Sequence, residues 1–347
     1  MIFGLFGGAQ ANSSTLGAGM GQGFHDYIEF NVEADALGYH SAFLVEHHFT
    51  GWTQISATLN LLTWLAARTK TLRVGTAVMV LPWHNPVLLA EQAATLDLLS
   101  GGRLDLGIGK GYRHNEFTGF GVPATEAEAR FDEGLEVIIK AWTMTERFSH
   151  HGRYWNFENI IVEPPTAQKP HPPLWMAAGS RESIRKVAAR GFNLLLDQFA
   201  QPDVIGERIA QFKAEVEAHG RVFDPLSVAV ARDVYVARDD TDKQAALERN
   251  ARMRQRTVDV ARAPGQTGGS HVLSYATSTS GNEAASLCGD PDEIARKLEV
   301  LQSMGVSYVL ASMSGGSRDS LRRFAQEIAP SFCASESGAK YQNINRA

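Results

Sequence analysis

Cysteine is scarce: the 347 residues contain only Cys288 and Cys333, with no Cys-x-x-Cys between them. That is too few for a disulfide framework and favours a reducing compartment. No run of about 18 apolar residues occurs, so nothing reads as a membrane span. An excess of positive charge is missing as well, because 33 Lys and Arg stand against 38 Asp and Glu, a formal net charge of -5. Neutralising phosphates takes clustered cations, so the balance argues against a nucleic-acid partner. The triplet Arg252, Arg254 and Arg256 reads as the solvated face of a helix. The N-terminal Met1-Ile-Phe-Gly-Leu-Phe enters an apolar run with no charged leader and reads as a first strand, not as a signal peptide. A soluble, cytoplasmic protein is expected.

Catalytic signatures of several classes are absent. Gly17, Gly19, Gly21 and Gly23 alternate, but Gln22 stands where a dinucleotide fingerprint needs its third glycine. Gly107, Gly109 and Gly111 fail likewise at Tyr112, and Leu104 occupies the first glycine position of a P-loop ending at Lys110. No Gly-x-Ser-x-Gly elbow and no His-Glu-x-x-His appear, which lowers the case for a hydrolase or a zinc enzyme. Carboxylate pairs at strand ends, which a sugar or phosphate-ester barrel would need, are not evident: Glu46 stands alone there.

Alternation is present instead. Apolar runs at 2–6, 41–45, 72–81, 103–109, 174–178, 192–196, 226–237 and 306–311 read as strands. Amphipathic segments at 24–37, 55–68, 87–99, 126–145, from 180, 203–219, 240–256, 290–304 and 317–328 read as helices. Eight strand–helix pairs predict an α/β protein with a TIM (β/α)8 barrel, since parallel strands need such crossovers. Dividing the length by about 150 residues suggests two domains, but barrels run about 250 residues as one. One barrel domain over 1–332 is expected, with an insertion at 148–173, a candidate mobile lid at 262–286 and a polar tail at 333–347. His150 and His151 in the insertion read as surface histidines.

In a barrel, chemistry sits on loops after the strands' C-terminal ends. These loops carry Glu46-His47-His48-Phe49, Thr76-Ala77-Val78, Gly109-Lys110-Gly111 and Gly179-Ser180 with Ser183. Adjacent strand residues point to opposite faces, so Glu46, His47 and His48 cannot all reach one metal ion. His47 is either a core histidine or a catalytic one. Ser180 is either a plain helix cap or, with Ser183 and the first N–H groups, an anion site. Lys110 amid glycines on the same barrel face makes a phosphorylated cofactor reasonable.

Glu46-His47-His48-Phe49, Val74-Gly75-Thr76-Ala77 through Pro82, Asn85-Pro86 with Ala90-Glu91-Gln92, and Leu99-Ser100-Gly101-Gly102-Arg103 through Gly111 resemble, in order and spacing, the luciferase-like flavin-dependent monooxygenases, the group containing bacterial luciferase. The resemblance is firm over 1–120 and looser to Ser183. It implies a barrel that binds reduced FMN from a separate NAD(P)H-dependent flavin reductase and forms a C4a-(hydro)peroxyflavin with O2. By the same resemblance His47 is the catalytic histidine and Glu116 an acidic residue near the flavin. The resemblance also implies that Ala77 and Val78 form a cis pair against the ring, and that Lys110, Gly179, Ser180 and Ser183 serve the phosphate. Lys110 replaces an arginine and loses its bidentate fork, and Gly109 stands where bacterial luciferase has a reactive cysteine. Light emission is therefore not implied.

The expected substrate is small and apolar, from Phe49, Trp52, Trp83 and Phe117 near strand ends. A homodimer is expected through the second and third helices, with Ile55, Leu59, Leu62 and Trp64. The rivals are an F420-dependent oxidoreductase on the same barrel and a non-catalytic flavin-binding protein.

Overall fold

The computed structural model describes residues 1–11, 21–261, 285–313 and 317–333. β1 (Ile2–Gly7) leads to α1 (Gln22–Ala36), β2 (Ser41–Leu44) to α2 (Thr58–Arg68), and β3 (Arg73–Thr76) with β4 (Met79–Val80) to α3 (Pro86–Leu99). β5 (Leu104–Gly109) is followed by α4 (His114–Phe120), α5 (Ala127–Thr143) and the hairpin β6 (Phe148–His151) and β7 (Asn156–Ile160). The pattern continues through β8 (Leu174–Ala177), α6 (Arg181–Arg190), β9 (Asn193–Leu196), α7 (Pro202–Ala218), β10 (Val228–Val236) and α8 (Asp240–Ala261). β11 (Leu287–Gly289), α9 (Pro291–Ser303), β12 (Tyr308–Ser312) and α10 (Arg318–Arg323) complete it.

The strands β10, β12, β1, β2, β3, β5, β8 and β9 pair in parallel in that order, and β9 returns to β10, closing an eight-stranded barrel. Each strand lies where an apolar run predicts one. Phe43, Trp175, Leu195, Tyr308 and Leu310 fill the barrel's interior. Gly75 makes room for one of them, since a Cβ there would lie 2.7 Å from the Phe43 ring. A second, larger core lies between barrel and helices, where Leu62, Leu89, Phe131 and Phe212 are buried. Each such side chain contributes about 1.5–3 kcal/mol. Among the described residues no helix is long and apolar enough to cross a membrane.

Several local expectations need correction. The run 72–81 is two strands: β3 pairs with β5, the chain turns at a cis Ala77–Val78 peptide, and β4 pairs further along β5. Every residue of that run is buried or half-buried, so no change of pattern marks the break. The helix α4 and the strand β11 lie in stretches for which the sequence predicts neither helix nor strand, each too short to carry a periodic signal. The helix expected from 55 begins at Thr58, which leaves Ile55 before it. The helix expected over 317–328 is α10 followed by a π-helical turn at Phe324–Ile328. The candidate lid at 262–286 lies outside the described residues except for Ala285 and Ser286, as does the tail beyond Cys333.

Two side-chain readings also change. Arg254 is not on a solvated face: it is buried and pairs with Asp233 at 2.8 Å. It belongs to the buried stripe Asn250, Arg254 and Val258, spaced four apart on α8. Arg252 stays exposed. His150 is buried against Glu133 at 3.5 Å because the hairpin folds back on α5, whereas its strand neighbour His151 points outward. Within the expected insertion, residues 148–160 form an antiparallel hairpin.

Candidate active site

β2 ends at Leu44, and the segment beyond it carries Glu46, His47 and His48 over the barrel's C-terminal mouth. Glu46 is almost fully buried. Its Oε1 accepts from His48 Nε2 at 2.7 Å, His84 Nε2 at 2.7 Å and Trp83 Nε1 at 3.0 Å, and its Oε2 accepts from the Val80 N–H at 2.8 Å. Burial alone would raise this carboxyl, but the hydrogen bonds from His48 and His84 outweigh it and bring the pKa down to about 2. Glu46 therefore ties the end of β2 to the segment after the cis peptide.

His47 turns the other way. Its Nδ1 lies 3.0 Å from Glu116 Oε1, which also accepts the His48 backbone N–H at 3.0 Å. Glu116 is held by α4, whose first turn places it under the end of β2. A carboxylate accepts, so Nδ1 carries the proton and Nε2 presents its lone pair. Burial lowers the His47 pKa, the Glu116 hydrogen bond raises it, and the charge of Arg113 lowers it again, with a net shift downward. The imidazole is thus neutral at pH 7. Arg113, buried at the N-cap of α4, was not visible as a site residue from the sequence.

His47 and Glu116 line a cavity of about 530 Å³. Its walls are largely apolar, with Phe6, Ala77, Val78, Met176, Leu195 and Leu310, and they also include Lys110, Gly179, Ser180 and Ser183. All eight candidate site residues named from the sequence thus line this one cavity: His47, Ala77, Val78, Lys110, Glu116, Gly179, Ser180 and Ser183. A Cβ at Gly109 would lie 2.6 Å from Val78 Cγ2, and one at Gly107 only 1.8 Å from the Thr76 carbonyl oxygen. The glycines of β5 let the cis segment close down on the barrel.

Ser180 is the N-cap of α6, and Ser183 answers it in a reciprocal capping box, with the two hydroxyls 2.7 Å apart. The plain cap is therefore present, yet it sets two hydroxyls at the cavity beside the helix's first N–H groups. Lys110 is half exposed and reaches Glu128 at 3.4 Å. The apolar floor has the chemistry to hold a planar ring, and the far end, lined by Lys110 and the serine hydroxyls with Glu128 and Glu182 beside them, has cationic and hydroxyl donors for a phosphate, so the residues fit FMN. Among the described residues, no group of three or more His, Cys, Asp or Glu is arranged to hold a metal ion.

The four aromatics expected to shape the pocket do not line the cavity. Trp83 packs on Phe117 and stacks on Phe120, with Phe49 and His48 alongside. None of Phe49, Trp52, Trp83 or Phe117 lines the cavity, whose apolar walls come from barrel strands instead.

A sequence profile described as luciferase-like monooxygenase matches residues 1–308. The oxygenase component of a flavin-dependent trigonelline monooxygenase from Acinetobacter baylyi is 30% identical over 226 residues, covering 64% of this chain and 62% of that protein. An FMNH(2)-dependent dimethylsulfone monooxygenase from Pseudomonas putida is 26% identical over 264 residues, covering 71% of this chain and 70% of that protein. The crystal structure of monooxygenase RslO1 from Streptomyces bottropensis superposes with a TM-score of 0.83 at 24% identity, covering 96% of this chain and 100% of that one. The chain spans less than two thirds of the length of the first curated relatives it matches.

Proposed function

This chain belongs to the luciferase-like monooxygenase family, and from that premise we propose that it uses reduced FMN and O2 to oxygenate a small apolar organic molecule. The observation that carries the reading is the His47–Glu116 pair in the wall of an apolar cavity that also holds Lys110, Ser180 and Ser183. Reduced FMN, when bound, supplies the electrons that activate dioxygen. Lys110, the two serine hydroxyls and the backbone at Gly179 would hold its phosphate, and Ala77 and Val78 would bear on its ring.

Glu116 fixes the imidazole of His47 through Nδ1, so Nε2 is the atom that takes up and returns a proton. A neutral imidazole with a lowered pKa can accept a proton at neutral pH and give it back readily. The apolar walls from β1, β8, β9 and β12 keep water from the proton and from the oxygen being transferred.

The name of the Acinetobacter relative as an oxygenase component supports a separate NAD(P)H-dependent flavin reductase as the source of reduced flavin. Of the residues expected on a dimer face, Ile55, Leu59 and Leu62 are buried in this chain's own core and only Trp64 is exposed, at 55%; a homodimer would have to use Trp64 on α2 with Leu88 and Leu99 on α3, which are 55% and 66% exposed. Gel filtration should give a particle of twice the 37.9 kDa chain mass, and Trp64→Asp should convert it to monomer. A wild-type monomer would remove this proposal.

The functional reading is tested by supplying reduced FMN or reduced F420 to candidate apolar substrates with and without O2. Product that needs FMN and carries an oxygen atom from O2 is expected. Product formed anaerobically with F420 would replace this reading with hydride transfer.

A further inference from the structure

We infer that Lys186 is a second phosphate-binding cation of this cavity and that Glu128 is a built-in competitor for the same two lysines. The inference rests on the flavin reading above and extends it to residues outside the family-like motifs. Lys186 Nζ lies 2.5 Å from Glu128 Oε1, and Lys110 Nζ lies 3.4 Å from Glu128 Oε2. One carboxylate thus spans two ammonium groups, with one oxygen facing each. All three side chains line the cavity with Ser180 and Ser183.

The placement follows from local structure. Lys186 stands three residues after Ser183 on α6, so it rises from the same helix face as the serine hydroxyls. Glu128 sits in the first turn of α5. The Lys186 hydrogen bond, then the charge of Lys110, holds the Glu128 carboxyl below its ordinary range, and the Glu128 hydrogen bond raises the Lys186 ammonium. Both partners are therefore charged at pH 7.

A lone Lys110 offers a phosphate only a point charge, without the two-pronged contact an arginine would give. Lys186 restores a two-point contact from the opposite element. A phosphate monoester carries more charge than a carboxylate and three acceptor oxygens, so it can take over the oxygen positions of Glu128 while keeping both lysines. Glu182, which also reaches Lys186 at 3.2 Å, is on the same helix at i−4 and need not leave. Riboflavin has no phosphate to make this exchange. The trio therefore sets selectivity for FMN over the uncharged flavin.

These groups are about half exposed, and exposed ion pairs contribute little to stability. Variants should therefore fold. Anaerobic titration calorimetry with reduced FMN and reduced riboflavin is the test, on wild type, Lys186→Gln, Lys186→Arg and Glu128→Gln. Lys186→Gln should weaken FMN by a factor on the order of five, with riboflavin unchanged and Lys186→Arg restoring the affinity. Glu128→Gln should strengthen FMN binding and leave riboflavin alone. Unchanged FMN affinity in Lys186→Gln, or weaker FMN binding in Glu128→Gln, would overturn the inference while leaving the flavin site standing. A wild type that binds FMN no better than riboflavin would overturn the phosphate site itself, and this inference with it.

Discussion

Replacing His47 with alanine is expected to lower turnover by a factor on the order of 10²–10⁴, the usual loss for a positioned acid–base group, with little change in flavin binding. His47 is the only residue of the candidate set that pairs a ring nitrogen with a buried carboxylate at the cavity wall. Its role requires the neutral form, so activity should decline as pH falls. The sign for stability is the same. A histidine whose folded pKa lies below its ordinary 6.5 contributes stability that is present above that value and is lost as pH falls through the folded pKa. The variant should therefore lose less stability than wild type on acidification below 6.5. Turnover that survives in His47→Ala would remove the imidazole from the chemistry.

Replacing Glu46 with alanine is expected to cost about 3–5 kcal/mol, the scale for removing one partner from a buried charged network. The change strands the Val80 N–H, the Trp83 indole and two histidine rings that converge on one carboxylate. The effect should depend on pH. The folded carboxyl titrates at about 2 against an ordinary 4.5, so its contribution is complete above 4.5 and disappears as pH falls toward 2. Urea unfolding at pH 7 and at pH 3 measures this, and the gap between variant and wild type should shrink at the lower pH. An equal gap at both values would mean that the carboxylate's charge is not what matters. Because Glu46 anchors the segment after Ala77–Val78, the variant should also bind reduced FMN more weakly.

How much of this was legible in the sequence depends on the scale of the feature. The barrel was legible because eight apolar runs separated by helix-length segments leave few alternatives. The residues that line the cavity were legible through local motifs at strand ends, such as Glu46-His47-His48 and Gly109-Lys110-Gly111. Features that arise only when distant elements meet were not. Glu116 and His47 are 69 residues apart and pair at 3.0 Å. Lys186 and Glu128 are 58 apart and come from neighbouring helices. His150 and Arg254 look solvated by composition, yet each finds a carboxylate on another element. The helical spacing of Lys186 from Ser183 was a usable signal, since it puts an ammonium on the face that carries the hydroxyls. The aromatic cluster around Trp83 misled in the opposite direction, because bulky residues at a barrel's rim can pack on one another instead of on a ligand.

Whether this cavity is an FMN site is decided by a crystal structure grown with FMN. The phosphate should lie within hydrogen-bonding distance of Lys110 and the Ser180 and Ser183 hydroxyls, with the ring against Ala77–Val78 and His47 Nε2 facing it. A phosphate placed elsewhere, or a ring bound away from Ala77–Val78, would contradict the account.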